Sequence, residues 1–134
     1  MVFEKRVTIV KITKPSNNHI NNSLQWFGNS LGLFSIRDKD KSCFRVFIEL
    51  LKAAKIDKPM TSDEIAYKLG LSRGTVVHHI NKLIESGIVM PHARGYMLRV
   101  NNLEVLIDEL KRDAERHFDD LKRVAKDIDR LLGL

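Results

Sequence analysis

Three residues, Gly70-Leu71-Ser72, constrain what this chain can fold into more than any other stretch. Ahead of them, Thr61 and Glu64 stand at the spacing of a capping box, in which the threonine oxygen accepts a backbone N–H and the glutamate reaches back. The helix so started, SDEIAYKL, is barely two turns long and turns Ile65, Ala66 and Leu69 inward. Gly70 stops it, as a residue that readily takes the left-handed conformation does. Ser72 then caps a longer helix, RGTVVHHINKLIES, with Val76, Ile80, Leu83 and Ile84 as its buried face and Gly87 at its end. A turn that short sets two helices at a large angle, so the second must project its polar side away from the first.

The flanks complete an ordered set. A helix begins near Asp40 with an apolar stripe of Phe44, Phe47, Ile48, Leu51 and Ala54, and Pro59 bars its continuation. After Gly87, IVM and YMLRV flank the connection PHARG, which reads as a hairpin with a glycine at its tip. Earlier, FEKRVTIVKI (3–12) is rich in β-branched residues and predicts a strand. TKPSNNHINNS favours turns, and Leu24, Phe27, Leu31 and Phe34 predict a short amphipathic helix over SLQWFGNSLGLF. Gly28 and Gly32 within it read as two positions that permit close packing.

Helix, short helix, glycine turn, helix and hairpin in that order resemble a winged helix-turn-helix. Residues 61–89, TSDEIAYKLGLSRGTVVHHINKLIESGIV, resemble that motif in ArsR-like and MarR-like regulators of bacteria and archaea, and LSRGTVVHHINKLIESGIV is most similar to the recognition helix of the ArsR-like group. The resemblance covers roughly the middle half of the chain. It implies a sequence-specific DNA-binding protein, usually a homodimer. Metal-sensing members often place paired cysteines in or near the helix that is SDEIAYKL here, and that helix has none. The sole cysteine, Cys43, beside Phe44, reads as a small core residue.

The residues support the same reading independently. On the third helix the positions outside the buried face include Arg73, Thr75, Val77, His78, His79, Asn81 and Lys82. The helix N-terminus, with its free N–H groups and positive dipole end, suits a phosphate. Ser72 and Thr75 add hydroxyls and Lys82 a point charge, contacts that position a protein without reading sequence. Arg73, His78 and Asn81 are the candidates for base edges, since arginine binds guanine and asparagine binds adenine bidentately. For His79, a solvated helix position stands beside the DNA reading. Adjacent histidines point about 100° apart on a helix and make poor joint metal ligands, so no metal is expected there. Arg94, near the hairpin tip, would gain from the negative potential of a narrow minor groove.

Leu103, Ile107, Leu110, Ala114, His117, Leu121, Val124, Ile128 and Leu131 follow alternating steps of four and three, a heptad-like seam. One helix from 103 to 132 would run about 45 Å at about 1.5 Å per residue. The preceding elements cannot cover that length, so a second copy of the chain is the simplest partner; the other reading folds this helix onto the N-terminal one. His117, with Asp113 and Asp120 on its face, is read as a polar residue fixing register rather than half of an intersubunit metal site. The fold class expected is mostly α with a small β component: an N-terminal strand and helix extension (1–39), a winged helix-turn-helix (40–100) and a C-terminal dimerisation helix (101–134). The extension is left between two uses, widening a dimer interface or forming an effector pocket.

Charge distribution agrees. The formal net charge is +6, with six Lys/Arg against three acids in residues 1–40, ten against five in 41–100 and seven against nine in 101–134. The positive excess lies where a polyanion would dock. One cysteine allows no disulfide framework, no apolar run spans a bilayer, and the N-terminus lacks the features of a secretion signal, so a cytoplasmic protein is expected. No phosphate loop, nucleophile elbow or metal-protease histidine pair appears, the five histidines are scattered, and neither enzymatic activity nor a cofactor is expected. The competing function is a winged-helix adaptor that binds other proteins of the transcription machinery; RNA binding is a third. DNA is favoured because the third helix has a basic polar face and an acid-free first turn.

Overall fold

The computed structural model describes residues 6, 8–14, 20–33 and 41–134. In chain order these form α1 (Ile20–Ser30), α2 (Ser42–Lys55), α3 (Ser62–Leu69), α4 (Arg73–Glu85), β1 (Val89–His92), β2 (Gly95–Leu98) and α5 (Leu103–Leu132). The protein is mostly helical with one small antiparallel sheet, the arrangement of a winged helix-turn-helix.

The caps read from the sequence set the centre. Thr61 Oγ1 accepts from the Glu64 amide at 3.1 Å while the Glu64 carboxylate accepts from the Thr61 amide at 3.4 Å, so both halves of the capping box are made. Gly70 ends α3 at φ 66°, where a β-carbon would be strained. Arg45 on α2 donates to the terminal Leu69 carbonyl at 2.8 Å, tying down the end of α3 next to the turn. Ser72 accepts from the Thr75 amide at 3.1 Å and starts α4.

One core joins these elements. α2 packs on α3, α4 and β2, and Val46, Phe47, Leu50, Ile65, Val76, Ile80, Leu83, Ile88 and Leu106 are fully buried within it. The expected α2 stripe is rotated. Cys43, Val46, Leu50 and Ala53 are buried with Phe47 and Ala54, while Phe44, Ile48 and Leu51 flank the core half-buried. The helix is apolar over most of its circumference, so periodicity alone does not select the row; packing on two sides does. Its first helical residue is Ser42, two positions after Asp40, near which the sequence places the start; Asp40 itself lies outside the described residues. Cys43 is a core residue, as its neighbourhood in the sequence indicates.

The hairpin pairs Val89 with Leu98 through His92 with Gly95, leaving Ala93 and Arg94 as the turn. The expected glycine at the tip is therefore corrected: Gly95 lies in β2, and Ala93 takes the positive φ of 54°. Gly95 has a different task. Met60 exchanges backbone hydrogen bonds with Tyr96 at 2.8 and 3.0 Å, adding a third, single-residue rung on the other side of β2. A β-carbon on Gly95 would sit 2.7 Å from the Met60 carbonyl oxygen. Gly95→Ala must therefore push apart two backbones. Its expected cost is about 2 kcal/mol or more, within the range of overpacked sites, read as a lowered midpoint in urea unfolding.

The N-terminal extension departs most from expectation. Among the described residues of 3–12, none is in a strand. The segment is held at isolated points instead: the Arg6 amide donates to the Glu85 carbonyl at 2.8 Å and the Val10 amide to the Ser30 carbonyl at 2.7 Å. Trp26 Nε1 donates to the Ile12 carbonyl at 3.1 Å. β-Branched residues favour extended backbone, but a ladder needs a partner strand, and here the neighbour is a helix. α1 ends at Ser30, short of the expected span, which runs on to Phe34 beyond the described residues. Gly32, at φ 69°, closes it: its amide donates to Asn29 and that of Leu33 to Gly28, the paired bonds of a Schellman cap. The two glycines thus do different things, Gly28 being buried inside the helix and Gly32 terminating it.

α5 spans Leu103–Leu132, the limits read from the seam, with Asn102 accepting from the Val105 amide at 2.9 Å as its cap. Its buried and half-buried side chains all fall in its first part, between Leu103 and Ala114. Leu106 and Leu110 are buried and Leu103 packs beside them, so Leu103 and Leu110, read as dimer contacts, serve the protomer's own core. From Glu115 onward every residue is exposed.

Candidate nucleic-acid interface

α4 is held by its inward row of Val76, Ile80 and Leu83. The opposite side is therefore fixed without further support. At 100° per residue, Gly74, His78, Asn81, Lys82 and Glu85 fall there, and all are exposed. Gly74 and Glu85 were not singled out by the sequence. A β-carbon on Gly74 would meet nothing within 4 Å, so the first turn presents bare backbone to whatever lies outside. Glu85 is the only acid on α4 and lies in its last turn, where the dipole is also negative. An anion is thus admitted at the first turns of α4 and opposed at its end.

The first turn is prepared in detail. Ser72 satisfies the Thr75 amide, which leaves the Arg73 and Gly74 amides to solvent or ligand. Ser72 Oγ and Thr75 Oγ1 are 2.8 Å apart and share one proton. Of their two hydroxyl protons, one therefore remains for a phosphate oxygen. Thr75 is half-buried and Ser72 exposed. Arg73 is exposed and lies 3.5 Å from Asp63 on α3, an ion pair with both partners about three-quarters in solvent. Such a pair contributes little and yields readily to a better acceptor.

The structure separates the two histidines. His78 is exposed on the outward ridge; His79 is half-buried on the inward flank, with Nδ1 shielded from solvent. Their rings are 5.5 Å apart and tilted by 59°. Arg94 is exposed in the hairpin turn, so it stands on the wing as expected. One exposed aromatic was missed: Tyr67 on α3 is 91% exposed, an unusual position for its ring. Nothing about spacing marks it; it is simply the residue that α3's short inward row leaves out.

A second missed feature fixes the wing. Arg99, just past β2, grips α5 by a two-pronged contact to Asp113 and a 2.9 Å contact to Glu109. The Arg99 pKa is raised, first by the Asp113 hydrogen bond, with burial pulling the other way. A raised folded-state pKa stabilises wherever pH lies below the unfolded value, which for arginine is every working pH, so Arg99 itself keeps its charge throughout. The signal was an arginine at the end of a strand and acids four apart on a helix, too common a pattern to be read alone.

A helix row aimed outward, a hairpin with Arg94 at its turn and an exposed α4 N-terminus together have the arrangement of a winged helix-turn-helix. Residues 40–92 match the family model described as a helix-turn-helix domain. That match supports a winged helix-turn-helix DNA-binding regulator. No curated protein matches the chain. No helix among the described residues is long and apolar enough to cross a membrane.

Proposed function

We propose that the protein is a transcription regulator that binds duplex DNA sequence-specifically, as a homodimer on an inverted repeat, in the manner of ArsR-like regulators. The observation that carries this reading is the open outer row of α4: exposed, bearing His78, Asn81 and Lys82, with an exposed Arg73 in the first turn beside it, and free of acids until Glu85. In the major groove, Arg73, His78 and Asn81 face base edges, while the α4 N-terminus, Ser72, Thr75 and Lys82 hold phosphates. α3 crosses the backbone above.

The homodimer reading is supported by α5, whose seam residues Leu121, Val124, Ile128 and Leu131 are between 47% and 81% exposed in the single chain. Apolar rows of that size are rarely left in water. Two copies would set two α4 helices about one DNA turn, roughly 34 Å, apart.

Selection of bound fragments from random duplex DNA tests the reading. An inverted repeat with half-sites about 10 base pairs apart is the expected yield. A pool that never enriches supports the adaptor reading instead. The wing has its own test. Arg94→Ala is expected to weaken binding about tenfold, the size of one lost charged groove contact, with unfolding unchanged because the side chain is exposed. Unaltered affinity at physiological salt would remove the wing from the mechanism.

A further inference from the structure

We infer that Arg99 is a positioning residue for DNA recognition: by locking the base of α5 to the end of α4, it sets which half-site spacing the dimer accepts. The inference rests on the homodimer reading and adds to it a determinant of specificity that touches no DNA.

Three elements meet at this residue. The Arg99 backbone amide donates at 2.9 Å to the carbonyl of Ile88, which joins α4 to β1. Its guanidinium crosses to α5, with Nη1 and Nη2 donating to the two oxygens of Asp113 and Nη2 also reaching Glu109 at 2.9 Å. A β-carbon on Gly87, just past the end of α4, would stand 3.4 Å from Arg99 Nη1 and 3.5 Å from Leu110. The end of the reading helix, the wing and the dimer helix thus converge on one side chain.

The apolar seat of α5 is a single row. Leu106 and Leu110 are its buried side chains, one turn apart, with Leu103 packed beside them. A helix held along one row can roll about it. Glu109 and Asp113 each follow a buried leucine by three residues, about 60° round the helix from that row. Arg99 therefore adds a second line of attachment, and two lines stop the roll. A two-pronged guanidinium also resists rotation as a single point charge does not. All three side chains are largely buried, so solvent and salt screen the contact less than an exposed pair. Arg112, Arg123 and Arg130, by contrast, pair with acids three residues away within α5, and those pairs leave the head unconstrained. The lever arm gives the effect its size. α4 has 13 residues and carries its first turn about 20 Å from the clamp. A rock of about 10° there would move Arg73 by about 3.4 Å, the rise of one base pair.

Binding isotherms of the full chain test this on the selected inverted repeat, on the same repeat with one base pair added or removed between half-sites, and on a single half-site. The wild type is expected to lose about tenfold or more with either change, because tethered heads that miss their span forfeit the second contact. Arg99→Met should shrink that loss to about threefold or less, with half-site affinity and the dimer dissociation constant from sedimentation equilibrium unchanged. A merely structural role would weaken every complex and leave the dependence on spacing as it was. Glu109→Gln removes one charge from a side chain 28% exposed, and should flatten the dependence in the same direction by less. Circular dichroism checks the fold, and Glu109→Gln carries the test alone if Arg99→Met unfolds. A folded variant that keeps the wild-type dependence on spacing overturns the inference and leaves the homodimer standing. A wild type that is monomeric, or indifferent to spacing, overturns the inverted-repeat reading itself.

Discussion

Leu121→Glu combined with Ile128→Glu is expected to give a folded monomer whose affinity for an inverted-repeat site has fallen about 10²- to 10⁴-fold. The size follows from linkage: two half-sites bound by tethered heads gain an effective concentration that a single head lacks, commonly worth that factor. Folding should be spared, because the two side chains are about half exposed on a part of α5 where every residue is exposed in the single chain. In the dimer, a glutamate at either place buries a carboxylate with no partner, which association cannot repay. Sedimentation velocity and a binding isotherm on one duplex read both effects. A monomer that keeps full affinity would separate α5 from DNA recognition altogether.

The second large effect concerns base reading. Arg73→Ala with Asn81→Ala is expected to lower affinity for the selected site by about 10²- to 10⁴-fold, at about 1–3 kcal/mol for each bidentate contact. Affinity for unrelated duplex should change far less, since the phosphate contacts at Ser72, Thr75 and Lys82 remain. Arg73 is engaged in the free protein, holding Asp63 at 3.5 Å, but in solvent, so exchanging that carboxylate for guanine costs little. Both residues lie outside the core, and urea unfolding should hardly move. Competition between selected and random duplex gives the ratio. Equal losses on both would mean these side chains position the protein without reading sequence.

The parts of the fold that could be read from sequence are those fixed by local chemistry. Thr61 with Glu64, Gly70, Ser72 and Gly87 each satisfy or end a helix within four residues, so their roles do not depend on distant packing. The extent of α5 was legible for a similar reason, an uninterrupted apolar period. What was not legible depends on which neighbour arrives. The α2 row was displaced because a helix with Phe44, Val46, Phe47, Ile48, Leu50 and Leu51 offers several faces, and α4 and β2 select one. The strand expected near the N-terminus had β-branched residues but no partner strand among the described residues. Gly95 looked like a turn residue because the Met60 rung, 35 positions earlier, cannot be seen in local sequence. Leu106 and the Arg99 clamp escaped for the same reason.

The candidate interface follows that division. The outward side of α4 was readable once its inward row was known, hence the exposure of His78, Asn81 and Lys82; Arg73 is exposed by its place in the first turn. Finer placement was not. His79 turns toward the body by being one step, about 100°, from His78. Gly74 and Glu85 carry no motif, yet the first opens the α4 N-terminus to close approach and the second confines an anion to that end.

The most direct measurement is the affinity of the intact protein for duplex DNA as salt is raised from about 50 to 200 mM. A dimer using the phosphate contacts named here should lose about 10³-fold or more over that range, with Lys82→Ala flattening the slope by about one unit per protomer. Absent binding at low salt, or binding indifferent to salt, would contradict a role for α4 on DNA.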